Sequence, residues 1–144
     1  ASYSVTFRIR LKAMKFWRDD DRQAVGKSGE DAAARFLKKR GLVILERNVR
    51  SRFGEIDLVA REGKTLVFVE VKCRRARDGD PPQAAVTPPK QRRLARLASG
   101  YLRRKRLTEV PCRFDVVAVI LDAQGSVTDI RHLKHAFTAE GWPS

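Results

Sequence analysis

The stretch Leu66–Arg75, LVFVEVKCRR, sets a carboxylate and an ammonium two residues apart inside an otherwise apolar run. Extended backbone sends successive side chains to opposite faces, so Glu70 and Lys72 share one face and Val69, Val71 and Cys73 the other. Charges at such a place are costly to desolvate unless they are paired, hydrogen-bonded or bound to a metal. Just upstream, FGEIDLVA carries Glu55 and Asp57 on a common face, and a tight Gly63-Lys64 turn separates the two segments. Antiparallel pairing about that turn brings the start of one strand beside the end of the other, so Asp57 or Glu55 falls near Glu70 and Lys72. Two acids and a lysine then converge. Carboxylates on adjacent strands can hold a hard divalent ion such as magnesium, with water and a substrate phosphate completing its shell. Such an ion polarises a phosphodiester and acidifies a bound water, while a lysine steadies the attacking water or the developing negative charge. Ordinary cross-strand ion pairs at a sheet margin use the same residues, and the spacing alone leaves both readings open.

The charge balance favours a polyanion as partner. Lysine plus arginine number 31 against 17 aspartate plus glutamate, a net charge of +14. That excess is the footprint expected of a nucleic-acid binder first and an anionic membrane surface second. No apolar run reaches the roughly 18 residues of a membrane span, and no continuous apolar core of a secretory signal is present, so the chain reads as cytoplasmic without stable membrane insertion. Cys73 and Cys112 have no zinc spacing and read as buried free thiols. The GKS at 26–28 resembles the end of a phosphate-binding loop, but that motif needs glycine at position 21, where Asp21 stands.

Positioning these residues falls to a regular succession of elements. Residues 1–25 read as a basic appendage in which Phe7, Leu11, Met14 and Trp17 line one side of an amphipathic helix. A domain over 26–135 and a tail over 136–144 follow. Ser28 caps a helix ending before Gly41, with Glu30 and Asp31 at its positive end and Ala33, Phe36 and Leu37 as the buried stripe. Strands over 42–50, 55–62 and 65–75 lead to a proline-rich loop, after which Thr87 and Pro88 start a second helix. That helix buries Leu94, Leu97, Ala98, Tyr101 and Leu102 and shows water Arg92, Arg93, Arg96, Arg103, Arg104, Lys105 and Arg106. Strands over 113–121 and 126–133 close an α/β chain of order α-β-β-β-α-β-β.

The blocks GEDAAARFL, ERNVRSRFGEIDLVA, VFVEVKCR, AAVTPPKQRRLARLASGYL and RFDVVAV, in this order between Gly26 and Leu133, resemble the YraN-like family. Its members are placed in the restriction-endonuclease-like, PD-(D/E)xK superfamily. The resemblance implies a central mixed β-sheet flanked by helices and a metal-dependent endonuclease. It further implies that Asp57 and Glu70 bind magnesium, with manganese as a substitute, and that Lys72 is catalytic. Glu30 matches a first-helix glutamate of the archaeal Holliday-junction resolvases, which act as dimers on branched DNA, although the helix dipole alone also accounts for an acid there. Glu55 stands as a second choice of ligand or as a structural partner.

Lys90 and Gln91 are candidates for phosphate contact, as are Arg92, Arg93 and Arg96 on the same helix. Arg47, Asn48, Arg50 and Arg52, between the first two strands, suit backbone phosphates without sequence readout. Asp115 reads as a structural acid paired to a nearby arginine, His132 and His135 as surface or core histidines, and Trp17 and Trp142 as packing anchors. The expectation is a magnesium-dependent endonuclease acting on DNA in preference to RNA, at a branch, and as a homodimer if both strands are cut. Its alternatives are a nucleic-acid-binding module that keeps the fold without cleavage and, more remotely, a membrane-surface or protein-partner adaptor.

Overall fold

The apolar run Thr65–Arg75 forms a strand inside a six-stranded sheet, flanked on both sides by other strands. A computed structural model describes residues 2–5, 19–75 and 86–138 of the chain. In chain order the elements are β1 (Ser2–Val5), α1 (Asp19–Lys39), β2 (Val43–Ser51), β3 (Gly54–Glu62), β4 (Thr65–Arg75), α2 (Pro88–Arg104), β5 (Cys112–Leu121) and β6 (Val127–Phe137). The sheet runs β1-β6-β5-β4-β3-β2. β4 and β5 are parallel and every other neighbouring pair is antiparallel, because the connection from β4 to β5 crosses over through α2. The architecture is thus α/β with a mixed sheet, in the expected order after β1.

Each face of the sheet carries one helix and one core. On the first face Ala33, Phe36 and Leu37 of α1 pack over Leu58, Val67, Val69, Val117 and Val119. On the second, Leu94, Leu97, Ala98 and Tyr101 of α2 cover Ile56, Val59, Phe68, Phe114 and Val116. Cover on both sides explains why β4 is apolar at Leu66, Val67, Phe68 and Val69 alike. Full burial of each such side chain stabilises the fold by about 1.5–3 kcal/mol.

β3 departs from strict alternation at one place. Leu58 and Ala60 face α1 and Val59 faces α2, yet Ile56 also faces α2. The change of face falls on Asp57. Across from it in the β2 register stands Asn48, flanked by the pairs Arg47↔Leu58 and Val49↔Ile56, with a left-handed backbone (φ 52°) that asparagine tolerates better than most residues. The β3–β4 ladder runs only from Glu62↔Thr65 to Leu58↔Val69, whereas β4 continues beside β5 as far as Arg75.

Several expectations are corrected. α1 starts at Asp19, not Ser28, so Ser28 lies within the helix and Glu30 lies well past its first turn. The helix dipole therefore does not account for Glu30. Gly29 is required by close packing instead, since a Cβ there would lie 2.1 Å from the Cys73 sulfur. The first residues are not a mere appendage, because β1 adds an edge strand along β6 from Ser2↔Leu133 to Val5↔Ile130. The sheet also outlasts residue 135, for β6 reaches Phe137, whose ring stacks on Phe114 at 4.6 Å.

Thr87 occupies the N-cap of α2 but makes no side-chain cap bond. Pro88 and Pro89 have already removed two of the amides that a cap would satisfy. The amphipathic helix expected around Phe7, Leu11, Met14 and Trp17, most of the proline-rich loop and Trp142 lie outside the described residues.

Candidate functional site

Asp57 is the centre of the acidic residues. With the ladder interrupted beside it, its Oδ2 takes the place of a backbone acceptor and receives the Val71 amide at 2.8 Å. α1 is pressed against β4 by the Gly29–Cys73 contact, which delivers Glu30 to the same spot, and Glu55 arrives from the start of β3. Carboxylate oxygens of Glu30, Glu55 and Asp57 all lie within 4.8 Å of one another. Oriented to satisfy both neighbours, the Asn48 amide nitrogen donates to Glu55 Oε1 at 2.6 Å and to Glu30 Oε2 at 3.0 Å. The left-handed turn of the Asn48 backbone thus turns its side chain to the acids.

The crowding shows in the titration of the group at its centre. Burial, then the Glu70 charge, push the Asp57 carboxyl up to about 7, with Glu30 and Glu55 adding to the rise against the Val71 hydrogen bond. Glu30 is raised too, by burial and then by Glu55, partly offset by Asn48. Burial likewise lifts the Cys73 thiol to about 11, with Glu30 and Asp57 adding to it, so Cys73 stays protonated beside the site.

Of the four residues expected at the centre, Asp57 and Glu30 come together, joined by the second-choice Glu55. Glu70 is near enough to act on Asp57 but its Oε1 is bonded to Lys90 Nζ at 2.6 Å, in the first turn of α2. Lys72, two residues along β4, makes no ion pair among the described residues. Gln91 is turned away, its side chain donating to the Val86 carbonyl at 3.1 Å.

The basic residues divide. Arg47 pairs with Asp31, and Arg50 Nε donates to Glu55 Oε2 at 3.2 Å, so both border the acids. Arg52, Arg92, Arg93 and Arg96 are exposed and make no ion pair among the described residues. α2 is fixed to the far side of the sheet by Tyr101, whose hydroxyl donates to Glu46 at 2.6 Å.

The donor set suits a hard divalent ion. Two oxygens on one such ion lie at most about twice the ion–oxygen distance apart, roughly 4 Å for magnesium and roughly 5 Å for calcium, and those of the three carboxylates lie within 4.8 Å of one another. The raised Asp57 pKa follows first from burial and then from the charges of Glu70, Glu30 and Glu55.

Asp115 is placed otherwise. It is 1% exposed and accepts from Arg113 Nε at 3.0 Å and Nη2 at 3.2 Å and from the His135 amide at 2.9 Å, while His132 Nε2 lies 2.8 Å from its Oδ2. It is a structural acid paired to an arginine, His132 is a core histidine, and His135 is exposed.

Comparison with known proteins gives kinship without a named activity. The family described as uncharacterised protein family UPF0102 matches residues 29–119. A UPF0102 protein of Geotalea uraniireducens is 50% identical over 117 residues, covering 81% of this chain and 91% of that protein. Another, from Symbiobacterium thermophilum, is 55% identical over 115 residues, 80% of this chain and 97% of its own. Among solved structures, SfsA of Pyrococcus furiosus in complex with calcium aligns over 78% of this chain at 17% identity and a TM-score of 0.37. The chain spans 64% of that protein's length, and the likeness is too loose to build on.

Proposed function

The chain belongs to the uncharacterised protein family UPF0102, the YraN family, and from its acidic site we propose a metal-dependent endonuclease that hydrolyses phosphodiester bonds in DNA. The observation that carries this reading is the convergence of Glu30, Glu55 and Asp57 on a chain of net charge +14. Three acids crowded together on a strongly basic protein are the arrangement that a divalent cation and a polyanion would each relieve.

Asp57, Glu30 and Glu55 would hold the ion, with Glu70 a fourth ligand once it leaves Lys90. Magnesium, or manganese in its place, would supply polarisation of the scissile phosphate and acidification of water. Asn48 fixes the rotamers of Glu30 and Glu55, and the Val71 amide fixes that of Asp57. Lys72 offers an ammonium to the attacking water or to charge developing on the phosphate. Arg52, Arg92, Arg93 and Arg96 add salt-sensitive affinity for the backbone. Restriction-endonuclease-like chemistry of this kind cuts one strand per site, so paired cuts would call for a homodimer.

A second reading has one observation in its favour. Glu70 is already neutralised by Lys90, as suits a nucleic-acid-binding module that keeps the fold without cleavage. The two separate when purified protein is incubated with labelled linear, flapped and four-way-junction DNA in magnesium, manganese or EDTA, beside Asp57→Asn and Lys72→Ala. Metal-dependent cutting by the wild type, lost in both variants while binding persists, is the expected result. Equal binding by all three proteins with no cutting would leave the binding module.

A further inference from the structure

Phe53, at the turn between β2 and β3, is a large apolar side chain left 46% exposed. Its ring is surrounded by cations: the guanidinium of Arg52 lies 4.8 Å from the ring centroid and that of Arg96 5.6 Å. The turn is seated firmly. The Phe53 amide donates to Ser51 Oγ at 3.2 Å, and Gly54 (φ 135°) leaves only ordinary contact distance for a Cβ against Leu97 Cδ1 at 3.6 Å and Arg93 Cδ at 3.7 Å of α2. Arg52 and Arg96 therefore gather at one aromatic ring with Arg93 beside the adjoining Gly54, and Glu55 of the acidic site follows two residues after Phe53.

Two guanidinium groups held at one ring, with a third arginine at the adjoining Gly54, repel one another, and none makes an ion pair among the described residues. An exposed phenylalanine ring has no polar edge to reward water. One ligand chemistry answers both, a planar base attached to phosphates: the base stacks on the ring, and the phosphates balance the arginines.

We propose that Phe53 is a stacking platform for an unpaired nucleobase, with Arg52, Arg93 and Arg96 holding the adjoining phosphates. The inference rests on the nucleic-acid reading above and narrows its substrate to DNA in which a base has left the helical stack, as at a flap or a single-strand–duplex boundary. In intact duplex every base face is already covered by its neighbours, so the ring gains nothing there. An incoming base displaces a guanidinium from the ring, and that arginine turns to the phosphate of the same nucleotide.

The test uses the full chain in EDTA, so that binding is read without cleavage. The probes are a flapped DNA with 2-aminopurine at the first unpaired position and a fully paired duplex with 2-aminopurine in the same sequence. Wild type is expected to bind the flap more tightly and to quench its fluorescence. Phe53→Ala loses about tenfold or more of the flap affinity, in line with alanine substitution at stacking platforms, along with the quenching, and keeps its duplex affinity. Phe53→Trp retains both, and unchanged thermal unfolding of the two variants shows that the exposed position does not carry the fold.

Equal loss on flap and duplex, or no loss on either, would overturn the proposal while the nucleic-acid reading stands. Absence of binding to either DNA would overturn both. Cleavage in magnesium is scored separately, so failure of the nuclease reading does not touch the flap preference.

Discussion

Asp57 and Asp115 both interrupt apolar strands, β3 and β5, and their surroundings are opposites. Asp115 is enclosed by donors: Arg113, His132 and the His135 amide lower its pKa even though burial pushes the other way. Asp57 has one amide donor and three acids for neighbours, and it is raised to about 7. The same side chain is thus surrounded by donors in one place and by other acids in the other. A structural acid brings its own counter-charge. Asp57 is instead held by the Val71 amide, beside Glu30 and Glu55, which Asn48 bridges.

The comparison breaks most readily at Asp115. Asp115→Ala leaves Arg113 and His132 beside a hole, while Arg113 keeps its 2.8 Å contact to Glu62. Removing one partner of a buried ionic network costs about 3–5 kcal/mol. Denaturant unfolding should show a loss of that order with the m-value unchanged. A loss below about 1 kcal/mol would mean that the network is not what holds β5 to β6.

Asp57→Asn should move stability the other way. The amide oxygen still accepts from Val71, and the charge that Glu70, Glu30 and Glu55 oppose is gone. One pKa unit corresponds to about 1.4 kcal/mol, and after relaxation of the neighbours a gain of about 1–3 kcal/mol is expected at pH 8. The sign follows from linkage. A folded pKa above the ordinary value of 3.8 means that the folded state holds the proton more tightly, so the wild type loses stability as pH rises from about 4 through about 7. The variant lacks that slope, so its advantage should shrink as pH falls and vanish only below about pH 4. Loss of stability at pH 8 would place Asp57 among the structural acids after all.

Much of this division is legible in the sequence, and where it is not the reasons are physical. β4 is readable end to end because apolar residues on both faces between turn signals have few alternatives. Asp115 is readable as structural from Arg113 two residues away on the same face of a strand. Glu30 is found through a resemblance, while its local explanation fails because α1 runs on through Gly26 and Ser28. The Glu70–Lys90 pair joins residues twenty positions apart across a crossover, and no periodicity encodes that.

The exchange of face at Asp57 is hidden as well, since period-two alternation assumes an unbroken ladder. It is therefore not foreseen from the sequence that Glu55 joins Glu30 and Asp57 or that Asn48 bridges Glu30 and Glu55. In retrospect an asparagine in the middle of ERNVR is the available signal, because it favours the left-handed backbone that turns its amide to the acids.

The smallest effect is the most direct on the acids themselves. A cation that binds the folded chain and not the unfolded one stabilises it by RT ln(1 + [L]/Kd), about 1.4 kcal/mol at ten times Kd. Manganese or magnesium should therefore raise the melting temperature of the wild type by a few degrees at pH 8. At pH 6 the ion must first expel the Asp57 proton, so the shift shrinks, and in Asp57→Asn it falls at both values. Asp115→Asn, if folded, should keep the pH-dependent shift intact, because that carboxylate has no vacancy in its donor shell for a cation to use. A metal shift independent of pH, or one lost in the Asp115 variant and kept in the Asp57 variant, would reverse the roles of the two acids. The pH dependence carries the weight here, since general screening of a chain of charge +14 by added salt would act without regard to one buried proton.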